Sequence, residues 1–387
     1  MSRRGVGKMA HDAKMTYRIG LLPGDGIGKD VIAEARKVVE TAASSFGFSV
    51  EWRKFPYGAE HYLNTGEILP DKALEEMQQC CALLQGAIGD PRIPPGVLER
   101  GILLKTRFYF DQYVNLRPAL TYPNVPTPLK RGEGIDIVVV RENTEDLYVG
   151  LGFLSNEEIE ATVDMKRPSY TLKGALSLKV DPSMKFAAQL ALATEMGVRR
   201  ITRYACNLAR RRKTSEIVLA TKSNAVKELY GLWEEIAKEE TSKEGISLKP
   251  VNVDALCYQL ARDPSGYGVI LCPNLFGDIV SDLLAGVTGG LGLSPSANIG
   301  DGLSMFEPVH GSAPDIAGTG RANPLAAILS AGLMLEHLAQ AEASEAVKNA
   351  VLEYLRAFPR QRHPIELGGE ATTSEVGDRV ASIIQRM

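Results

Sequence analysis

The chain has 387 residues, 44% of them apolar and 24% charged, with 44 Lys and Arg against 47 Asp and Glu for a formal net charge of −3. This length exceeds one simple core and predicts two domains or one large two-lobed unit, while the apolar fraction excludes a largely disordered chain. The mildly acidic balance argues against a nucleic-acid partner, and no apolar run approaches the ~20 residues of a membrane helix, so neither nucleic acid nor membrane is expected.

The N-terminus, MSRRGVGKMAHDAKM, is basic but has no apolar stretch, which excludes a secretory signal and reads as a flexible tail over residues 1–16. Arg18–Leu22 reads as a strand. GDGIG then turns into a helix over Lys29–Ser45, with Val31, Ile32, Ala35, Val38, Val39 and Ala42 at helical spacing. Asp71–Leu84 repeats that pattern, with Leu74, Met77, Cys81 and Leu84 expected to face inward. Ile135–Val140 and Val269–Cys272 are continuous apolar runs suited to strands buried on both faces. Arg210–Lys213 reads as a solvated helix end, and Thr241–Gly245 as a polar loop. Asn323 is expected to cap a helix over Leu325–Leu338, with Pro324 at its first position. Strands alternating with helices predict an α/β fold with a mostly parallel sheet.

Five cysteines, an odd number with no C-x-x-C pair, read as free thiols in a reducing compartment, hence a cytoplasmic protein. Gly24, Gly26 and Gly28 are spaced G-x-G-x-G, not G-x-G-x-x-G, so an ordinary dinucleotide fingerprint is absent. No Walker A, H-E-x-x-H or G-x-S-x-G sequence occurs either.

Two groups of residues carry chemistry. Asp278 and Asp282, in NLFGDIVSDLL after a strand, stand at i and i+4 on one helix face. Two carboxylates in an apolar segment repel each other and favour a hard divalent cation; Asp254, after another strand-like run, offers further oxygens. Taken singly, each Asp reads more readily as a cap or a solvated carboxylate. Arg107, Arg117 and Arg141 form the second group. Arg117 ends a strand-like run and Arg141 follows a buried one, so both point toward whatever occupies a cleft. Guanidinium groups match carboxylates bidentately. Separate surface ion pairs are the alternative that spacing leaves open.

RENTEDLYVG (141–150), NLFGDIVSD (274–282), FEPVHGSAPDIAGTGRANPLAAILS (306–330), LLPGDGIG and TKSNAVKE together resemble the β-decarboxylating dehydrogenases, the isocitrate/isopropylmalate dehydrogenase family, from about Tyr17 to the C-terminus. The resemblance implies two α/β lobes without a Rossmann fingerprint. The large lobe would comprise 17–115 plus 290–387 and the small lobe 116–289, with a dimerisation arm at about 151–179. It implies Asp254, Asp278 and Asp282 as ligands of Mg²⁺ or Mn²⁺, and Arg107, Arg117 and Arg141 as holders of the malate part of a small 2-hydroxy acid. Tyr148 and Lys222, which alone read as packing and solvated surface, become proton-transfer residues. The arrangement implied is a homodimer, or a larger assembly of dimers, with Lys222 and Asp254 reaching the neighbour's site.

Glu307, His310, Gly311, Ser312, Ala313, Asp315, Ile316 and Asn323 match the adenosine-side loop. Relatives that use NADP carry Lys-Tyr where this chain has Asp315-Ile316, so NAD is expected; a loop cap is the plain alternative for Asp315. Leu103 and Leu104 stand where an apolar substrate branch would be read, and the Ser and Asn of isocitrate-specific relatives are replaced by Gly101 and Leu103. Arg100 stands where a Glu is common. The expectation is 3-isopropylmalate, with D-malate or tartrate next, then isocitrate or homoisocitrate. A non-catalytic regulatory subunit is the reading from a different class.

Overall fold

The computed structural model describes residues 15–130 and 132–387, so the expected tail lies outside the described residues except for its last two. In chain order the elements are β1 (Thr16–Leu22), α1 (Gly28–Phe46), β2 (Ser49–Lys54), α2 (Ala59–Thr65), α3 (Asp71–Met77), β3 (Ala82–Gln85), a π-helical segment (Glu99–Leu104) and α4 (Lys105–Tyr109). Then come β4 (Val114–Leu120), β5 (Asp136–Glu142), β6 (Gly152–Ser155), β7 (Ile159–Lys166), β8 (Thr171–Leu178), β9 (Phe186–Gln189), α5 (Glu195–Arg211), β10 (Glu216–Thr221), α6 (Lys227–Lys243) and β11 (Ser247–Asn252). The chain finishes with α7 (Val253–Arg262), β12 (Val269–Cys272), α8 (Asn274–Thr288), β13 (Pro295–Ile299), β14 (Met305–Pro308), α9 (Leu325–His337), α10 (Ala341–Ala357) and α11 (Thr373–Ile384).

Ten strands form one sheet in the order β11-β10-β12-β5-β4-β13-β14-β3-β1-β2. Its two flanks are parallel, and the middle pairs β5–β4, β4–β13 and β13–β14 are antiparallel. The fold is therefore the expected mixed α/β architecture, though its two halves share a single sheet.

Helices cover both faces. On one face α1, α9, α10 and α11 seal the half that holds the chain's ends, and α5 and α6 seal the other half. On the opposite face the apolar cores under α2, α3 and the π-helical segment, and under α7 and α8, are separate. Between them strand alternation turns polar residues outward: Gln85, Asn115, Arg117, Arg141, Ser296, Asn298 and Glu307. That polar strip is where a site can form, because an apolar filling there would have fused the two cores.

The G-x-G-x-G glycines serve close backbone packing. Gly26 sits at φ 51° against the Ser312 carbonyl with no room for a Cβ, and Ile27 N donates to Ser312 O at 2.8 Å. The first loop is thereby tied to the 310–323 segment.

Three expectations need correction. The Asp71–Leu84 helix ends at Met77, and Ala82–Gln85 is a buried strand, so Cys81 lies exposed between them; apolar spacing alone ran the two elements together. Thr241–Gly245 belongs mostly to the last turn of α6, where the Thr241 hydroxyl donates to Ala237 O at 2.9 Å, a bond that makes a polar residue compatible with helix. At α9 the cap shifts by one: Pro324 precedes the first turn, and the Asn323 side chain accepts from Leu325 N at 3.1 Å. Arg210–Lys213 is the expected solvated end of α5, held by Glu244 and Asp136.

Beyond the sheet, β6 pairs with β9 and β7 with β8 as two separate two-stranded ribbons, and Leu154 and Leu190 stand exposed there.

Candidate active site

Arg117 lies in the middle of β4, not at its end, and Arg141 lies near the end of β5. Their antiparallel register, with Asn115 opposite Arg141 and Arg117 opposite Val139, sets both guanidinium groups diagonally on one face. β12 then delivers α8 across that face. Asp278 Oδ1 meets Arg141 Nη1 at 2.6 Å and Arg117 Nη1 at 3.0 Å, and Asp282 Oδ1 lies 3.3 Å from Arg117. Close approach is bought by Gly277, where a Cβ would stand 2.5 Å from Arg141 Cγ. Arg117 Nη1 also donates to Ser281 Oγ at 2.7 Å, and Arg141 Nε to the Asn274 carbonyl at 2.9 Å.

Burial governs the electrostatics. It pulls the Arg141 guanidinium, 1% exposed and near Arg117, down to about 10. Burial also pushes Asp278 up, but Arg141 and Arg117 outweigh it and hold the carboxyl below its ordinary range. Asp282 is pushed up by burial, and Arg117 offsets only part of that. Tyr148, on the short turn after β5, donates its hydroxyl to Asp278 Oδ2 at 2.9 Å, with its ring 5.3 Å from the Arg141 guanidinium. Burial, reinforced by Asp278, raises the phenol above its usual value, so it keeps its proton at neutral pH.

A cavity of about 170 Å³ continues from this cluster, lined by Leu103, Arg107, Arg117, Glu307, His310 and Gly311, among others. Arg107 Nη2 bonds Glu307 Oε1 at 3.1 Å. Leu104 is half-buried and does not line this cavity. An adjoining cavity of about 270 Å³ is lined by Ile27, His310, Ile316, Asn323 and Glu366. Asn323 Nδ2 donates to Glu366 Oε2 at 2.9 Å. The buried His310 Nε2 has no partner among the described residues. Ser312 and Ala313 (φ 36°) form the turn that holds Ile27, and Asp315 is exposed. A larger cavity, about 380 Å³, opens on the opposite face of the sheet beneath Leu116, Leu120, Ala297 and Ile299. It contains none of the expected site residues.

Lys222 and Asp254 form a separate pair at the mouth of β10 and the start of α7, Nζ to Oδ1 2.7 Å. The bond to Lys222 lowers the Asp254 carboxyl. Among the described residues no three His, Cys, Asp or Glu side chains converge as a cation cage. One chain therefore brings together Asp278, Asp282, Tyr148 and the arginines, but not Asp254 or Lys222.

The donor sets can be tested against the groups the sequence implies. Asp278 and Asp282 are hard oxygen donors, which suits Mg²⁺ or Mn²⁺, but two carboxylates leave such a cation's shell unfinished within one chain. The 310–323 segment offers an unpartnered buried imidazole nitrogen, an exposed carboxylate and two apolar walls, which suits the adenosine half of a dinucleotide. Sequence reading missed Ser281, Asn274 and the Asn298–Glu307 contact, since each is recognised only through partners more than a hundred residues away or across the sheet.

Residues 18–380 match the isocitrate/isopropylmalate dehydrogenase family. The 3-isopropylmalate dehydrogenase of Thermobifida fusca is 40% identical over 372 residues, covering 95% of this chain and 97% of its own length. That of Corynebacterium urealyticum is 42% identical over 374 residues, covering 95% and 99%. Among solved structures, isocitrate dehydrogenase from Methylococcus capsulatus superposes with a TM-score of 0.82 at 32% identity, over 95% of this chain and 99% of that one. A β-decarboxylating dehydrogenase from Thermococcus kodakarensis gives 0.74 at 32%, over 96% of each.

Proposed function

The chain belongs to the isocitrate/isopropylmalate dehydrogenase family and is a decarboxylating dehydrogenase, and from that premise we propose that it oxidises and decarboxylates 3-isopropylmalate with NAD and Mg²⁺ or Mn²⁺. The carrying observation is the 170 Å³ cavity, in which Arg107 and Arg117 face Leu103. Two guanidinium groups suit the two carboxylates of a substituted malate. An aliphatic wall suits a branched alkyl group and gives a third carboxylate no partner; burying one unpaired costs several kcal/mol.

In this reading Arg107, Arg117 and Arg141 bind and orient the carboxylates. Tyr148, protonated at neutral pH and steadied by Asp278, donates a proton to the carbon that loses CO₂. The His310–Asn323 loop would hold NAD, which when bound would supply a hydride acceptor, and Asp315 would bind the ribose hydroxyls while repelling a 2′-phosphate. A divalent cation held by Asp278 and Asp282 supplies Lewis-acid stabilisation of negative charge on the substrate's oxygens. The set is completed by Asp254 of the partner subunit, with the partner subunit's Lys222 handling the hydroxyl proton. Support for a homodimer comes from exposed apolar side chains beside those residues: Ile279 next to Asp278 on α8, Tyr258 one turn after Asp254 on α7, and Leu154 and Leu190 around the ribbons. The lobes 17–115 with 290–387, and 116–289, would close over the cavity, with the 151–179 arm in the interface.

The test is a kcat/KM panel over 3-isopropylmalate, D-malate, tartrate, isocitrate and homoisocitrate, with NAD and NADP. The expectation is 3-isopropylmalate over isocitrate by roughly 100-fold, taking ~3 kcal/mol at 1.4 per decade, and NAD over NADP. Equal values for the two acids would overturn the substrate reading, with the exposed Arg100 as the first suspect. A preference for NADP would overturn the reading of Asp315.

A further inference from the structure

We propose that Asn298 is a positioning residue that keeps the three arginines of the cleft in register, acting through Glu307 on Arg107 and through Asn115 and Asn143 on the strands that carry Arg117 and Arg141. The inference rests on the reading of those arginines as substrate-binding.

Asn298 is fully buried on β13, on the polar strip between the two apolar cores. Its Nδ2 donates to Glu307 Oε1 at 2.7 Å, and its Oδ1 accepts from Asn115 Nδ2 and Asn143 Nδ2, both at 3.0 Å. The orientation follows from the partners: Glu307 Oε1 also accepts from Arg107, and Asn115 and Asn143 both present Nδ2, so the amide turns its NH₂ to Glu307 and its oxygen to the other two.

Each partner leads to one arginine. Glu307 Oε1 is the atom that bonds Arg107, and its Oε2 accepts from Gln85 at 3.2 Å. Asn115 is two residues before Arg117 on the same face of β4, and Asn143 is two residues after Arg141, at the start of the turn to Tyr148. Neither the Asn115 nor the Asn143 Oδ1 finds a donor among the described residues, so both amides are held there through their nitrogens. Asn115 keeps a second bond to Ser296 Oγ at 2.8 Å and Asn143 one to the Gln112 carbonyl at 2.9 Å. Asn298 is the group the three chains have in common. It lines neither cavity of the site, so its effect passes through other residues. Hydrogen bonds are stronger in a buried, low-dielectric setting, and the Asn298 amide bonds through both its nitrogen and its oxygen, so removing it frees three partners at once.

The charged groups on the hydrogen-bonding chains from Asn298 are Glu307 and, beyond it, Arg107; its other hydrogen-bond partners are the Asn115 and Asn143 amides, and its cross-strand neighbour is Met305. This makes Asn298→Asp diagnostic. It replaces the donor to Glu307 with a second carboxylate at hydrogen-bond distance. Two such carboxylates hold one proton between them and lose it as pH rises.

The experiment compares wild type, Asn298→Ala and Asn298→Asp with 3-isopropylmalate and NAD between pH 6 and 9, each variant also checked by thermal melt. Expected for Asn298→Ala is a KM for the hydroxy acid raised about tenfold or more at every pH, with KM for NAD within about twofold of wild type. For Asn298→Asp, kcat/KM should be near wild type at pH 6 and about tenfold below it at pH 8.5, as the shared proton leaves. Variants that melt like wild type, yet change both KM values equally or show no such divergence with pH, would overturn the proposal. Should Asn298→Ala fail to fold, the pH divergence of Asn298→Asp decides alone. Wild type inactive on the whole acid panel would instead remove the functional reading, and this inference with it. Wild type active with unaffected variants removes only this inference.

Discussion

Tyr148 and Glu142 sit six residues apart, and burial pushes both toward the protonated form. At Tyr148 a raised phenol keeps the proton that a general acid needs, and the 2.9 Å bond to Asp278 keeps the hydroxyl in place. Tyr148→Phe removes that oxygen alone; steady-state assays should show turnover down about 100-fold with the melting temperature nearly unchanged. Retained turnover would move the role to another group. Glu142 is fully buried, and burial together with Glu145 lifts its carboxyl from 4.5 to about 7, against hydrogen bonds from Thr144 and the Glu145 N–H. Because the native state holds this proton more tightly than the unfolded state, its contribution is fully present below 4.5 and fades as pH rises to about 7. Glu142→Gln abolishes the titration, so melts at pH 5 and pH 8 should show wild type losing ground to the variant at the higher pH. A constant difference between the two proteins would mean that Glu142 is ionised throughout.

At the scale of elements, α8 is the part the sequence discloses best. Asp278 and Asp282 share one face of a helix after a buried strand, as their spacing implies. What that spacing hides is the contact beneath it. The arginines that meet Asp278 lie 137 and 161 positions earlier in the chain, and only strand register decides that they share a face. The helix also depends on a residue with no chemistry. At Gly277 a Cβ would stand 2.5 Å from Arg141 Cγ and 2.6 Å from its Cβ, atoms too near the backbone to swing aside. Gly277→Ala should therefore cost about 1–3 kcal/mol by chemical denaturation and raise KM for the hydroxy acid, because α8 must lift away from β5. Unchanged stability and KM would show that β5 and α8 have slack. The overrun at Asp71–Leu84 has a related origin: Met77 and Leu84 fit a helical period by count, and the turn between them, Gln78 to Cys81, carries no glycine or proline to mark the break.

Over the whole molecule, the sequence discloses the α/β class and the family motifs, but not the single sheet, because β4 and β13, which join its halves, are neighbours separated by about 180 residues. It also leaves Lys222 and Asp254 as two distant positions, which the fold pairs at 2.7 Å away from Asp278. If each cleft is completed by a partner subunit, Lys222→Ala and Asp278→Asn are each inactive as homodimers. A mixed dimer then carries one doubly damaged cleft and one intact one. Random pairing makes about half the dimers mixed, so co-expression of the two variants should restore roughly a quarter of wild-type activity. Verified mixed dimers with no recovery would place Lys222 outside the shared cleft.

The two ribbons have a further consequence for the kinetics of solvent access. The β7–β8 ribbon buries only a small apolar cluster around Val149, Val163 and Met165, and a two-stranded ribbon is marginal in water by itself. Its amide hydrogens should exchange for deuterium far sooner than those of β5 or β12, which are covered on both faces. Association through this region would slow the exchange and dilution would restore it, while the central strands stayed indifferent to concentration. The ribbon amides would then act as a built-in reporter of assembly, readable without any label or substrate.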